Sequence, residues 1–375
     1  MQNESPMSQP DNTSETIQKE SICKGCSGKL QFAPGTNHLK CPYCGMENEI
    51  EVSKVVFEEI DFEKFVKEFE GKETSVEVAT IKCQGCGAQT TFNPNVVSDS
   101  CPCCGAPLVI KDATTSHIIK PKAILPFSVD QNKAFKEFGE WIKKLWFAPN
   151  KLKRYARQEG KLTGLYIPYW TYDSDTSTDY TGERGDDYQT TETYTATENG
   201  KPVTRTRTVT RTRWSSTSGH VDKVFDDVLV VASNSLPKEY VEKLEPWDLQ
   251  NLVPFNSSYL SGFKAESYQV DLREGLEDAK HKMNNAIHEA ICRDIGGDHQ
   301  RVHSTNTTWK DITFKHLLMP IWISAYSFNN KTYRFLINGR TGEVQGERPY
   351  SWIKITFAVL AAAAVILAIV LLTQK

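Results

Sequence analysis

Eight of the ten cysteines fall into four C-x-x-C pairs, and this constrains the chain more than any other feature. Cys23/Cys26 and Cys41/Cys44 enclose fourteen residues, and so do Cys83/Cys86 and Cys101/Cys104. At an offset of sixty, Gly25 matches Gly85, Phe32 matches Phe92, Pro34 matches Pro94, Pro42 matches Pro102 and Gly45 matches Gly105. Two knuckles bring four thiolates to a closed tetrahedral site, the arrangement of structural Zn²⁺, with no position left for a reacting water. The glycine that follows a knuckle suits a positive φ and lets backbone N–H groups approach the sulfurs. No apolar signal segment opens the chain, so the pairs read as metal ligands in a reducing compartment rather than as a disulfide framework. Iron is the competing reading, since "CPYCG" and "CPCCG" resemble rubredoxin knuckles. No flavin or nicotinamide fingerprint accompanies them. Cys103, at the place of Tyr43 in the first copy, reads as a spare thiol.

The opposite end of the chain imposes a second constraint. Ile355 to Leu372 contains no charge, with Thr356 its one polar residue. At 1.5 Å per residue it gives about 27 Å of helix, enough to cross a bilayer core. Tyr350 and Trp352 stand where an interfacial aromatic belt belongs, and Arg348 and Lys354 favour a cytoplasmic body. The expectation is a single-pass tail anchor over 353–373, with the N-terminal body in the cytoplasm.

Between these ends, 51–80 reads as an acidic linker. Nine acids face four lysines from Glu51 to Glu77, while Val55, Phe57, Ile60, Phe62, Phe65, Val66 and Phe69 predict an amphipathic helix. Acidity beside the cysteine modules repels phosphate and favours protein docking. A net charge of −3 supplies no global attraction to polyanions.

In the body, Ala134, Phe135, Phe138, Trp141, Ile142, Leu145 and Trp146 recur at helical spacing up to Pro149. Residues 131–161 carry nine Lys or Arg against three Glu, so this segment is the candidate surface for nucleic acid or anionic lipid. Lys143, Lys144, Lys151, Lys153 and Arg154 are its key cations. Strict alternation in "TRTRTVTRTR" puts Arg205, Arg207, Arg211 and Arg213 on one strand face. An Asn199-Gly200 turn would set Arg207 opposite Glu192 and Arg213 opposite Asp186, with Arg205 and Arg211 opposite Tyr194 and Tyr188. Partners within the same chain weigh against a phosphate grip there. Further turns are expected at Asn329-Asn330 and Asn338-Gly339, and a helix from Asp271 closed by Gly296-Gly297.

Catalytic signals are weak. His288 and Cys292 share a helix face without a third orienting group, which reads as a packed thiol beside a surface imidazole. Asp298, His299 and His303 are a candidate metal set on spacing alone. "HEAIC" lacks the second histidine of a zincin, and no Walker A sequence is present.

The two cysteine modules, "LPF" at 125–127, "GLYIPYW" at 164–170, "FDDVLVVAS", "PWDL" at 246–249, "YLSGFKAESY" at 259–268 and "TFKHLLMPIW" together resemble a bacterial family of membrane-anchored proteins with paired TFIIB-type zinc ribbons. Its members are often labelled primosomal protein N′ or replication factor Y helicase, but the motor motifs that such a helicase needs are missing here. The resemblance implies zinc and membrane association and supplies no activity.

The expected architecture is therefore α+β. It has a disordered leader (1–20), zinc ribbons at 21–50 and 81–111, the linker at 51–80, a body with long β-hairpins at 112–350, and the transmembrane helix. Two structural Zn²⁺ ions are expected, held by Cys23, Cys26, Cys41, Cys44, Cys83, Cys86, Cys101 and Cys104. The expected role is a non-enzymatic, membrane-tethered adaptor for a protein partner. The alternatives are a nucleic-acid binder using the ribbons and segment 131–161, and a hydrolase using Asp298, His299 and His303.

Overall fold

The computed structural model describes residues 21–51, 59–69, 75–85, 87–91, 98–104, 106–109, 113–149, 162–198, 201–328, 331–347 and 350–373. The leader, Cys86, Lys151, Lys153, Arg154, Arg348 and the turns at Asn199-Gly200 and Asn329-Asn330 lie outside the described residues. The fold is mixed α+β with long β-hairpins.

Three strands form its frame: Thr163–Glu198, Lys201–Val231 and His299–Phe328. The first lies between the other two and is antiparallel to both, within a sheet that counts nine strands among the described residues. Where the frame enters the body it is buried on both faces. Leu165, Ile167 and Tyr169 pack with Leu317, Met319, Ile321 and Val231. On the other face Tyr166 packs with Phe127 and Trp322, and Trp170 and Tyr172 pack with Phe314. A strand covered on both faces needs apolar residues at consecutive positions, which is why "GLYIPYW" does not alternate.

Farther along the frame, one face alone is covered. The helix Leu272–Ile295 lays Leu276, Ala279, Met283, Ile287, Ile291 and Ile295 against it, one per turn. Asp271 caps the start by accepting from the Arg273 and Glu274 N–H groups, and Gly296 and Gly297, at φ +65° and +74°, close the end. Tyr180 reaches from the sheet to donate to the Asp294 carboxylate at 2.5 Å.

Past Gly185, opposite His299, the third strand stops and the first two continue as a two-stranded ribbon. At about 3.3 Å per residue the ribbon adds about 40 Å. Its register sets Glu192 opposite Arg207, Asp186 opposite Arg213, Tyr194 opposite Arg205 and Tyr188 opposite Arg211, as the alternation predicts.

Two helices depart from expectation. The linker helix covers Phe62–Phe69; Ile60 and Asp61 instead pair as a short strand with Phe314 and Thr313, so the sheet edge takes residues that helical periodicity had claimed. The helix Gln131–Lys144 buries Ala134, Phe138 and Ile142 but ends before Pro149, because Leu145 leaves helical geometry at ψ 85°. Trp146 thereby falls off the apolar stripe and is 82% exposed. At the C-terminus, the apolar helix Trp352–Thr373 is long enough to cross a membrane and has no buried residue.

Candidate metal centre

The sulfurs of Cys23, Cys26, Cys41 and Cys44 all lie within 4.8 Å of one another. Cys23 and Cys44 approach to 3.5 Å, and Cys26 and Cys41 to 3.4 Å. Four sulfurs at about 2.3 Å from a tetrahedral ion would stand about 3.8 Å apart, so the donor set fits a closed metal site with little movement. The backbone builds it. Cys23 N–H donates to the Gly28 carbonyl at 2.8 Å, and Cys41 N–H to the Met46 carbonyl at 2.9 Å. Ser27 and Gly45 take positive φ (59° and 75°) to return their N–H groups to the Cys23 and Cys41 carbonyls. Glycine pays no Cβ penalty there; Ser27 is the exception. The Cys44 N–H holds the Cys41 thiol down to about 6 against its burial, with the Tyr43 N–H adding to it. The N–H groups of Cys26 and then Gly25 hold Cys23 below the ordinary thiol range. Backbone donors thus favour thiolate at Cys23 and Cys41, whereas at Cys26 and Cys44 the neighbouring thiols outweigh the Gly28 and Met46 N–H groups and push the thiols up.

Cys83, Cys101 and Cys104 form a second group that could hold a metal ion, with Cys83 and Cys104 at 3.6 Å. The expected fourth ligand, Cys86, lies outside the described residues. The same backbone bonds occur here: Cys83 N–H to Ala88 carbonyl at 2.8 Å, Gly87 N–H to Cys83 carbonyl at 2.8 Å and Cys101 N–H to Ala106 carbonyl at 2.7 Å. Cys103 is fully buried and is not one of the three.

Neither cysteine segment stands free of the body. Phe32 meets Tyr259 edge-on at 5.0 Å, its N–H donates to the Ser261 carbonyl, and Gly35 N–H donates to the Phe127 carbonyl. Cys23 and Cys41 belong to the same buried cluster as Phe127 and Tyr259. In the second segment, Cys83, Cys101 and Cys103 share a cluster with Leu236, Val241 and Trp247, and Ser267 N–H donates to the Gln89 carbonyl. The outward side of the first group is different in character. Cys26 and Cys44 are exposed, and Ile22, Tyr43 and Met46 are apolar and 60%, 79% and 41% exposed.

The other candidate residues do not assemble into a site. Asp298 accepts from the Asp187 N–H, His299 bonds the Asp187 carboxylate at 3.1 Å, and His303 faces Glu183 at 3.7 Å. Each of the three is thus turned to a neighbour on the opposing strand. Cys292 and His288 are 3.6 Å apart on the helix surface. In the ribbon, Glu192 accepts from both Arg207 at 3.3 Å and Arg211 at 2.5 Å, so Arg211 has a carboxylate where a tyrosine alone was expected. Asp186 instead pairs with Arg184 of its own strand. Lys143 of the basic segment pairs with Glu140 at 2.7 Å.

Sequence reading missed two buried polar clusters. Lys315, one-tenth exposed, meets Asp227 at 2.8 Å, Glu59 at 3.3 Å and Asp173 at 3.9 Å. Glu266, buried beneath the second cysteine segment, accepts from Ser233, Ser235 and Gln269. Their members come from distant parts of the chain, so no local spacing marks them. Lys315 is a paired internal charge, which burial makes costly to leave single, whereas the Glu266 carboxyl is satisfied by neutral hydrogen-bond donors.

No family model matches the chain. It is similar to the uncharacterized protein YdjG of Bacillus subtilis (strain 168), 25% identical over 330 residues that cover 88% of this chain and 89% of that protein. No solved structure matches.

Proposed function

We propose that the chain is a membrane-tethered zinc adaptor without catalytic chemistry, which docks a protein partner at the cytosolic face through its first cysteine group. The observation that carries this reading is the two-sided character of that group. Cys23 and Cys41 are sunk in the body, while Cys26 and Cys44 stand in an outward rim with Tyr43, Met46 and Ile22. A closed four-thiolate Zn²⁺ site would stiffen the rim and leave no position for a substrate. Exposed Tyr and Met side chains are residue types enriched at protein interfaces. The second cysteine group, completed by Cys86, would hold the second zinc beneath the body. The helix Trp352–Thr373 would act as the single-pass tail anchor, with Lys354 on the cytoplasmic side.

Nucleic-acid binding through segment 131–161 and the ribbons is the lesser reading. Lys143 is paired with Glu140, and Arg207 and Arg211 share Glu192. Its signature would be affinity that collapses with salt.

The test is partner recovery from membranes with the full chain as bait. Cys41→Ser with Cys44→Ser should lose the partner while the protein stays in the membrane fraction. Tyr43→Asp should lose the partner and keep both metal equivalents. Unchanged recovery with Tyr43→Asp overturns docking at this rim.

A further inference from the structure

The loop after the helix Gln131–Lys144 is tied to the first turn of the apolar C-terminal helix. Ser351 N–H donates to the Phe147 carbonyl at 2.8 Å, and the Lys354 ammonium donates to the Ala148 carbonyl at 2.7 Å. Two aromatic groups are therefore held at one level from two distant parts of the chain. Trp146 and Phe147 come from the loop and are 82% and 40% exposed; Trp352 and Tyr350 come from the helix start and are 81% and 56% exposed. Leu145 and Ala148 on either side of the loop pair are buried. The loop is thus anchored inward while its largest rings point outward. Lys143 and Lys144 occupy the last turn just before it.

We propose that Trp146 and Phe147 form a second membrane contact, seated at the headgroup–acyl boundary beside the point where the chain enters the bilayer, with Lys144 facing anionic headgroups while Lys143 is held by Glu140. This rests on reading Trp352–Thr373 as a membrane span. Continuity with that helix identifies the occupant: Trp146 adjoins the Phe147 and Ala148 carbonyls that are bonded to the start of the span, which sets its loop at the depth of the interface. Indole rings favour that layer because one edge is apolar and the N–H is wet. A Lys near an anionic surface adds to the attraction. A single flexible tether lets a body swing; a tether with a second point of insertion holds it in one orientation.

The experiment uses the full chain in nanodiscs of zwitterionic lipid with and without anionic lipid, and lipids brominated near the carbonyl as quenchers of tryptophan emission. Wild type is compared with Trp146→Tyr and Trp352→Tyr, so that each difference reports one ring. The expected result is that both variants lose a quenchable component, and that the Trp146 component is larger in discs with anionic lipid. Loss with Trp352→Tyr but none with Trp146→Tyr overturns the second contact and leaves the span intact. Loss with neither variant removes the span reading and this inference with it. A Trp146 component that is shifted to shorter wavelength yet unquenched means that protein covers the ring, which also overturns the proposal.

Discussion

The Tyr172 hydroxyl sits 2.5 Å from the point where a Cβ on Gly275 would stand, and it donates at 2.6 Å to the Leu272 carbonyl one turn earlier. The first turn of the long helix thus lies directly on the sheet, and its closeness depends on a missing methyl group.

Gly275→Ala should therefore destabilise the fold although alanine is the better helix former. Helix propensity returns about 1 kcal/mol, whereas overpacking a core costs about 1–3 kcal/mol. The neighbours here are the Tyr172 ring and Trp170 Cδ1 at 2.9 Å, both on fully buried residues that cannot swing away. A lower unfolding midpoint in detergent is expected; an unchanged or raised one would mean that the helix moves off the sheet without cost.

Glu192→Gln should change stability little, because its ion pairs are solvent-exposed. It should nevertheless raise affinity for polyanions by releasing Arg207 and Arg211. Elution from heparin at higher salt than wild type checks this. Equal elution would show that Glu192 does not mask the ribbon's positive charge.

Loss of the first metal should reach into the body rather than freeing an end of the chain. Phe32 packs on Tyr259, and Cys23 and Cys41 lie in the cluster that contains Phe127. Cys41→Ser is expected to remove about one of two metal equivalents, since closed sites of this kind need all four ligands. Hydrogen exchange should rise at 30–39 and also at 259–263. A rise confined to 30–39 would show that the two parts are energetically independent.

His316 should contribute acid sensitivity. Burial pushes its pKa down to about 4, while its Nδ1–H donates to the Ile119 carbonyl at 2.8 Å. The unfolded chain takes up this proton below about pH 6.5, and the folded chain does not until about pH 4, so stability falls as the pH drops through that window. The slope is on the order of 1 kcal/mol per pH unit. His316→Phe should cost about 1 kcal/mol at neutral pH through the lost hydrogen bond and flatten the acid limb. A limb as steep as that of wild type would assign the sensitivity to other groups.

Local patterns made much of this molecule legible. The register of the Thr163–Glu198 and Lys201–Val231 hairpin follows from alternation and one turn dipeptide, because side-chain direction in a strand has period two. The helix Leu272–Ile295 follows from its Asp cap, its apolar spacing and its Gly-Gly stop. The grouping of Cys23 with Cys26, Cys41 and Cys44 follows from knuckle spacing, since each pair closes its own turn.

Contacts between distant segments carry no such local mark. Nothing near Phe32 announces Tyr259, nothing near Glu59 announces Lys315, and the helix whose spacing takes in Trp146 ends at Lys144, two residues short of it. Apolar periodicity states that a face will be buried without stating what buries it. Hydrophobic attraction has no direction, so the choice of partner belongs to the packing of the whole chain. That packing sinks the inner half of the first cysteine group into the body, leaves its rim in solvent, and joins the loop of Trp146 to the start of the apolar helix.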